Sequence, residues 1–381
     1  MNQSDFVRQM PGQTSDLARR VSIWQRVHID PILLLLLLIL TAFGLVVLYS
    51  AGDQNSAVLV RQGRFLLIAY IGMFVIAQFS VERIRRLAPL GYVVGVLLLV
   101  AVALVGVGAK GAQRWLSLGG FRFQPSEVMK LVVPMAAAWY FSSRALPPRF
   151  RYIVVSLLLI AVPTFLIARQ PDLGTSILIA ASGLFVLFLA GIRWRFIFGA
   201  VGLALCSAWP MWHFVLRDYQ RTRILTLLNP ERDKLGAGWN IIQSKTAIGS
   251  GGWEGKGWTN GTQSQLDFLP ESHTDFIIAV LAEEWGLQGV LLLLAIYVAI
   301  ILRGLWIGVN AQHSFGRLLA GSITLTFFVY VFVNMGMVSG LLPVVGVPLP
   351  LVSQGGTSLV TLLAGFGLLM AISTEKRIIG Q

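Results

Sequence analysis

The sequence predicts an all-α polytopic membrane protein of about ten transmembrane helices, with one large loop between spans seven and eight. Three observations carry that prediction. Of the 381 residues, 56% are hydrophobic and only 12% are charged, more apolar surface than a soluble core hides. Apolar stretches recur at roughly the 20 residues needed to cross a bilayer. The basic residues behind the net charge of +13 are spread over the connections between those stretches. There they set orientation and meet membrane lipids, so nucleic acid is not the expected partner.

In chain order, the spans are expected near 31–50, 65–80, 88–107, 125–142, 152–168, 173–190, 196–215, 274–302, 317–337 and 355–373. The polar segment up to Asp30 and the lack of a small-residue cleavage site mark the first as a retained span. RQPDLGTS, at 169–176, is so short that spans five and six form a tight hairpin. Arginines such as Arg83, Arg85, Arg86, Arg144, Arg149, Arg193 and Arg303 crowd one set of short loops. The opposite short loops hold only Arg61, Arg64, Lys110, Arg114, Arg122 and Arg169. That bias places both termini inside. The layout is a tail over 1–30, a membrane domain over 31–373 and a second tail over 374–381. The long outer loop, about 216–273, carries Trp239, Trp253 and Trp258 among many glycines and is expected to lie along the outer surface. The single cysteine, Cys206, excludes a disulfide framework and thiol–zinc chemistry. No nucleotide-binding loop is present.

Three constellations stand out against this apolar background. In the first, Pro270 breaks the chain and Glu271, Ser272, His273 and Thr274 lead into span eight, which places Asp275 in its first turn. A helix start favours the ionised carboxylate while the lipid boundary opposes it. Asp275 there reads either as a plain cap or as a working acid. Glu271, four residues earlier, would share its face. Glu283 and Glu284 are costly within a span; by helical angle Glu284 points nearly opposite Asp275 and Glu283 is about a quarter-turn off, which suits a structural role.

The second constellation is the stretch 108–130. Arg114, Arg122 and Lys110 are outer cations, Trp115 suits the interface, and Gln124 precedes Pro125 at a helix start. Glu127 and Lys130, three apart, share a face of span four. They read either as a mutual ion pair or as a polar wall, the lysine holding an anionic group and the glutamate a cation or hydroxyl. The third constellation is the pair of turns RQPDLGTS and PLVSQGGTS, where Asp172 caps a span and Gly355 and Gly356 permit close backbone approach. Both are read as structural turns.

The motifs QPSEVMK, RQPDLGTS, GKGWTNGTQSQLDFLPESHTDFIIAVLAEEWG and NMGMVSGLLPVVGVPLPLVSQGGTS, with the ten-span layout, resemble the SEDS family (shape, elongation, division and sporulation) over roughly residues 20–378. VGVPLPLVSQGGTS and Gln354 are most similar to its rod-shape elongation branch; the division branch more typically has tyrosine at that position. The resemblance implies a peptidoglycan glycosyltransferase that polymerises lipid II at the outer face of the inner membrane. It also implies a class B penicillin-binding protein as transpeptidase partner, within an elongation complex that includes proteins of the MreC and MreD type. It places the essential aspartate at Asp275, the glutamate and lysine of its QPSExxK motif at Glu127 and Lys130, and its tryptophan at Trp115.

On that reading Asp275 is the general base for the acceptor hydroxyl. Lys130, Arg114 and Arg61 are the expected partners of the departing pyrophosphate. Gln124 and His273 complete the expected substrate-binding set. No cofactor is demanded. A divalent magnesium or manganese ion would need oxygen ligands, and Glu127 is the donor that can be named. The alternatives are a lipid II flippase and a non-catalytic scaffold. Clustering of polar groups at the outer end, away from the midplane, favours chemistry over transport.

Overall fold

The computed structural model describes residues 23–109, 112–118, 121–216, 218–232, 237–265 and 271–375. Lys110, Lys234, Pro270, most of the first tail and the end of the second lie outside that set.

Helix α1 (Pro31–Ala51) starts with proline at its first position, and the Asp30 carboxylate accepts the Leu33 N–H at 2.9 Å. The same carboxylate is gripped by Arg303 at 2.6 Å, so a buried acid both caps one span and ties it to another. Helix α2 (Ser56–Ala77) begins nine residues before the expected 65, because Asn55 caps it through the Ala57 N–H. Arg61 and Arg64 therefore ride on a helix, not in a loop. Helix α3 (Val81–Val105) also starts early and runs through Pro89.

Residues 107–123, expected as plain loop, contain a small antiparallel meander: β1 (Val107–Ala109), β2 (Ala112–Leu118) and β3 (Phe121–Phe123). Helices α4 (Pro125–Ser142), α5 (Phe150–Arg169) and α6 (Leu173–Leu189) follow, the last capped by Asp172 through the Thr175 N–H at 3.3 Å. Helix α7 (Trp194–Pro210) has no buried residue, and a π turn extends it to Val215.

The long loop folds into α8 (Asp218–Leu228), α9 (Ala237–Gly251) and the short α10 (Thr262–Gln265). Contrary to the expectation of a surface-lying loop, α9 inserts its apolar side into the bundle. Ile241 and Ala247 are buried, and Ser244 donates to the Val338 carbonyl at 2.9 Å. Helices α11 (Ile277–Val309), α12 (Ser314–Val338) and α13 (Thr357–Ser373) complete the chain.

Seven of these helices are long and apolar enough to cross a membrane, α6 and α13 are shorter apolar helices, and α4 has 18 residues. Together they account for the ten expected spans of a multi-pass membrane protein. One core cluster runs through α1, α2, α4, α11, α12 and α13. In contrast, α3 and α5 turn large apolar residues such as Leu90, Leu97 and Phe165 outward, as lipid-facing helices do.

Helix α11 is not continuous. Gly286 adopts φ +63° and ψ −161°, which breaks the ladder inside a span. The segment 252–257 repairs the break. Lys256 N–H and Gly257 N–H donate to the carbonyls of Glu283 and Glu284 at 3.0 and 2.9 Å. Leu287 N–H and Gln288 N–H donate to the carbonyls of Gly252 and Trp253 at 3.0 and 3.3 Å. Orphaned backbone groups at membrane depth cost several kcal/mol each (an order-of-magnitude figure), so the loop and the broken helix form one unit.

Candidate active site

Asp275 sits in a turn that ends just before α11. Glu271 has φ +60°, and its carbonyl accepts the Thr274 N–H at 3.1 Å while its carboxylate accepts the Thr274 hydroxyl at 2.9 Å. The helix proper starts at Ile277, after Phe276. The expectation that Asp275 lies in the first helical turn and shares a face with Glu271 is thus corrected: φ above zero at Glu271 makes a tight turn that delays the helix.

Three neighbours hold this turn by its main chain. Asn334 donates to the Asp275 carbonyl at 2.9 Å, Ser353 donates to the Thr274 carbonyl, and Gln354 N–H donates to the His273 carbonyl at 2.9 Å. His273 and Asp275 are themselves half-buried. The chain passes close at Gly346 (φ +73°), where a Cβ would lie 3.5 Å from Asp275 Oδ2.

Glu127 and Lys130 form the ion pair that their spacing allowed, at 2.7 Å, with side chains 8% and 10% exposed. The pair is not closed on itself. Thr361 of α13 donates to the second Glu127 oxygen at 2.9 Å, and Lys130 lies 5.3 Å from the Tyr330 ring centre on α12. Lys130, Tyr330 and Thr361 also line an otherwise largely apolar cleft with Phe327 and Phe366. A buried ammonium on the wall of this small cleft is a charge-assisted donor suited to an anionic group.

Arg114, on β2, reaches Asp172 at 3.8 Å and donates to the carbonyls of Gln170 and Pro171. Gln124 donates to Ser126 at 3.0 Å and to Asp172 at 3.3 Å. RQPDLGTS is therefore more than a turn: it is the hub that fastens the meander to the start of α4. PLVSQGGTS is likewise part of the site, since Gln62 of α2 donates to the Ser353 carbonyl at 3.1 Å and accepts the Gly355 N–H at 3.2 Å. Trp115 is half-buried on β2 opposite Val107. Arg61 is exposed beside Gln62 and makes no hydrogen bond or ion pair among the described residues. The side chain of Arg122 lies outside what is described.

Glu283 and Glu284 take the structural role expected of them. Glu283 is fully buried and accepts from Lys256 at 2.7 Å, from Thr262 N–H at 2.8 Å and from Gln263 N–H at 3.0 Å. Glu284 accepts from Ser50 of α1. The two acids pin the long loop to the break at Gly286.

Both Glu127 oxygens are engaged, by Lys130 and Thr361. Among the described residues no group of three or more His, Cys, Asp or Glu side chains is assembled to hold a metal. A magnesium-type ion takes one or two carboxylates with waters and substrate phosphates, so Glu127 would give up one of these partners to serve as its donor.

Sequence reasoning missed Asn334, Tyr330, Thr361, Gln62 and Ser353. None is charged, so none stands out inside an apolar span. For all but Gln62 the available signal was their place within the long NMGMVSGLLPVVGVPLPLVSQGGTS run and its flanks.

The family profile of FtsW, RodA and SpoVE, described as cell cycle proteins, matches residues 30–378. The chain is 52% identical over 367 residues to the peptidoglycan glycosyltransferase MrdB of Escherichia coli, covering 96% of this chain and 99% of that one. It is 37% identical to a probable peptidoglycan glycosyltransferase FtsW of Geobacter metallireducens, covering 91% and 95%. Among solved structures, a chain of a peptidoglycan synthase complex that coordinates polymerization and crosslinking superimposes with TM-score 0.81 at 32% identity, covering 92% of this chain and 98% of that one. The rod shape determining protein RodA of Thermus thermophilus superimposes with TM-score 0.69 at 29% identity, covering 91% and 97%.

Proposed function

This chain belongs to the FtsW, RodA and SpoVE family and is a peptidoglycan glycosyltransferase, and from that premise we propose how its residues polymerise lipid II. Asp275 is the general base. It takes the proton from the 4-hydroxyl of the acceptor GlcNAc as that oxygen attacks the anomeric carbon of the growing strand. The bond to pyrophosphate breaks, the α-linked leaving group departs on undecaprenol, and a β-1,4 bond forms with one inversion. The observation that carries this reading is the clamped turn. Asp275 is half-buried, and hydrogen bonds to three consecutive carbonyls, at His273, Thr274 and Asp275, fix its backbone. A base held in this way loses little entropy when substrate arrives.

Negative charge grows on the pyrophosphate during the step, and pre-placed cations lower its energy. Lys130 is the central one, with Arg114 at the meander. Glu127 and Thr361 orient Lys130; Gln124, Trp115 and His273 border the sugar-binding space. Arg61 serves at the exposed rim.

The site faces the periplasm and both termini face the cytoplasm, a reading supported by the Lys and Arg bias of the short loops. The partner is a class B penicillin-binding protein, with MreC- and MreD-type proteins in the same assembly. Likeness to a chain from a peptidoglycan synthase complex supports a crosslinking partner.

The test is synthesis from purified lipid II by the detergent-solubilised complex. Glycan strands that a muramidase cleaves are expected. Lipid II that stays monomeric with a verified complex would turn the reading to transport or scaffolding.

A further inference from the structure

We propose that Asn334 positions Asp275 for proton abstraction by tying two backbone carbonyls to one amide group. The inference rests on Asp275 as the base. Asn334 lies on α12, is 0% exposed, and donates from Nδ2 to the Asp275 carbonyl at 2.9 Å and to the Val347 carbonyl at 2.7 Å. Carbonyl oxygens only accept, so the amide has one workable orientation, with NH2 toward them. Its Oδ1 is then left buried with no donor among the described residues. A buried amide with one end unpaired costs free energy that an apolar side chain of the same shape avoids. Local rules broken in this way collect where function demands them.

What the amide achieves is geometric. Its two partners come from the turn before α11 and from the segment after α12, and the second is adjacent to Gly346. A Cβ on Gly346 would lie 3.5 Å from Asp275 Oδ2, so the glycine leaves space beside that carboxylate. With the Asp275 carbonyl fixed, the carboxylate reaches only the positions its side-chain rotamers allow. Tyr330 lies one helical turn earlier on α12 and faces Lys130. The same helix face thus spaces the base from the cation that receives the leaving group. Asn334 touches no reacting atom in this account; it acts through the placement of Asp275.

The experiment measures initial rates of glycan formation against lipid II concentration, in the complex with the class B partner. It compares wild type, Asn334→Leu, Asn334→Ser and Asp275→Asn, each checked for folding by thermal unfolding. Leucine keeps the shape of asparagine and removes the donor. Since a misplacement of about 1 Å costs on the order of 100-fold in rate, a folded Asn334→Leu enzyme is expected to lose about 100-fold in kcat with KM unchanged. Asn334→Ser, which keeps a hydroxyl donor, is expected to recover part of that loss. A folded Asn334→Leu enzyme with wild-type kcat overturns the proposal, and so does a loss carried by KM. If the leucine variant does not fold, the serine variant decides: kcat between wild type and zero at wild-type KM supports positioning, and full kcat overturns it. An active Asp275→Asn enzyme removes the base assignment itself. An inactive Asp275→Asn enzyme beside a fast Asn334→Leu enzyme removes only the positioning role.

Discussion

Gly255 and Gly286 meet backbone to backbone: a Cβ on Gly286 would fall 2.4 Å from the Gly255 nitrogen, and one on Gly255 would fall 2.2 Å from the Glu284 carbonyl oxygen. Both residues have positive φ, +81° and +63°. This contact joins the long loop between α7 and α11 to the span that follows the Asp275 turn. Alanine at either position is expected to cost about 1–3 kcal/mol from backbone strain alone, with the clash added to it. The measurement is thermal unfolding in detergent, with limited proteolysis of 252–263. A Gly255→Ala or Gly286→Ala protein as stable and protease-resistant as wild type would contradict the docking described.

The Glu283 carboxylate predicts an asymmetry. Removing Lys256 leaves it with the Thr262 and Gln263 N–H donors, whereas removing Glu283 takes the acceptor from both N–H groups and leaves Lys256 with the Thr262 hydroxyl. Glu283→Ala is therefore expected to destabilise more than Lys256→Met. Breaking a buried pair from one side costs about 3–5 kcal/mol, and the remaining N–H donors keep Lys256→Met below that range. Unfolding midpoints of the two variants check the order.

Lys130 carries the leaving-group claim. Lys130→Met is expected to lower kcat by about 100- to 1,000-fold, the usual loss of one donor aimed at developing charge. Lys130→Arg is expected to restore little. The position is 10% exposed and fitted between Glu127 and Tyr330, and a guanidinium is larger and forked. Steady-state rates on lipid II, read with folding controls, decide this.

The segment after the last span carries a pH signature. Burial pushes the Glu375 carboxyl above its ordinary value; His313, 3.7 Å away, opposes the rise and Glu82 adds to it. One of its oxygens is buried without a hydrogen bond among the described residues. A raised acid pKa means that the folded chain holds the proton more tightly than the unfolded chain. Ionisation therefore costs stability as pH climbs from the ordinary glutamate value through the raised one. Glu375→Gln is expected to raise the melting temperature at neutral pH, with the gain vanishing by about pH 4. A gain that is the same at every pH would contradict the cause given.

What could be read in the sequence follows a simple physical line. Asp275, Glu127, Lys130 and the two acids of α11 are conspicuous because charge inside an apolar span is costly, so it must be paired or used. Their pairing was legible from spacing, as with Glu127 and Lys130. The break at Gly286 was not, because its repair comes from the backbone of residues 252–257, some 30 residues earlier in the chain. Helical periodicity has no term for such a partner. Asn334 and Thr361 escaped for the opposite reason, since a single neutral polar group leaves an apolar span apolar. The early start of α2 escaped because Arg61 and Arg64 read as loop, although the Asn55 cap had already begun the helix. The meander at 107–123 was hidden by its glycines, which mark turns without saying what they join.

The central claim is that Asp275 removes the acceptor proton. Its most direct test is the Asp275→Asn protein, shown to fold and to bind its partner, given purified lipid II beside wild type. Asparagine keeps the shape and the clamped main chain and removes only the base. Glycan strands from wild type and none from Asp275→Asn are predicted. Strands of equal length and yield from both would contradict the account and pass the role of base to another acid, with Glu127 and Glu271 first in line.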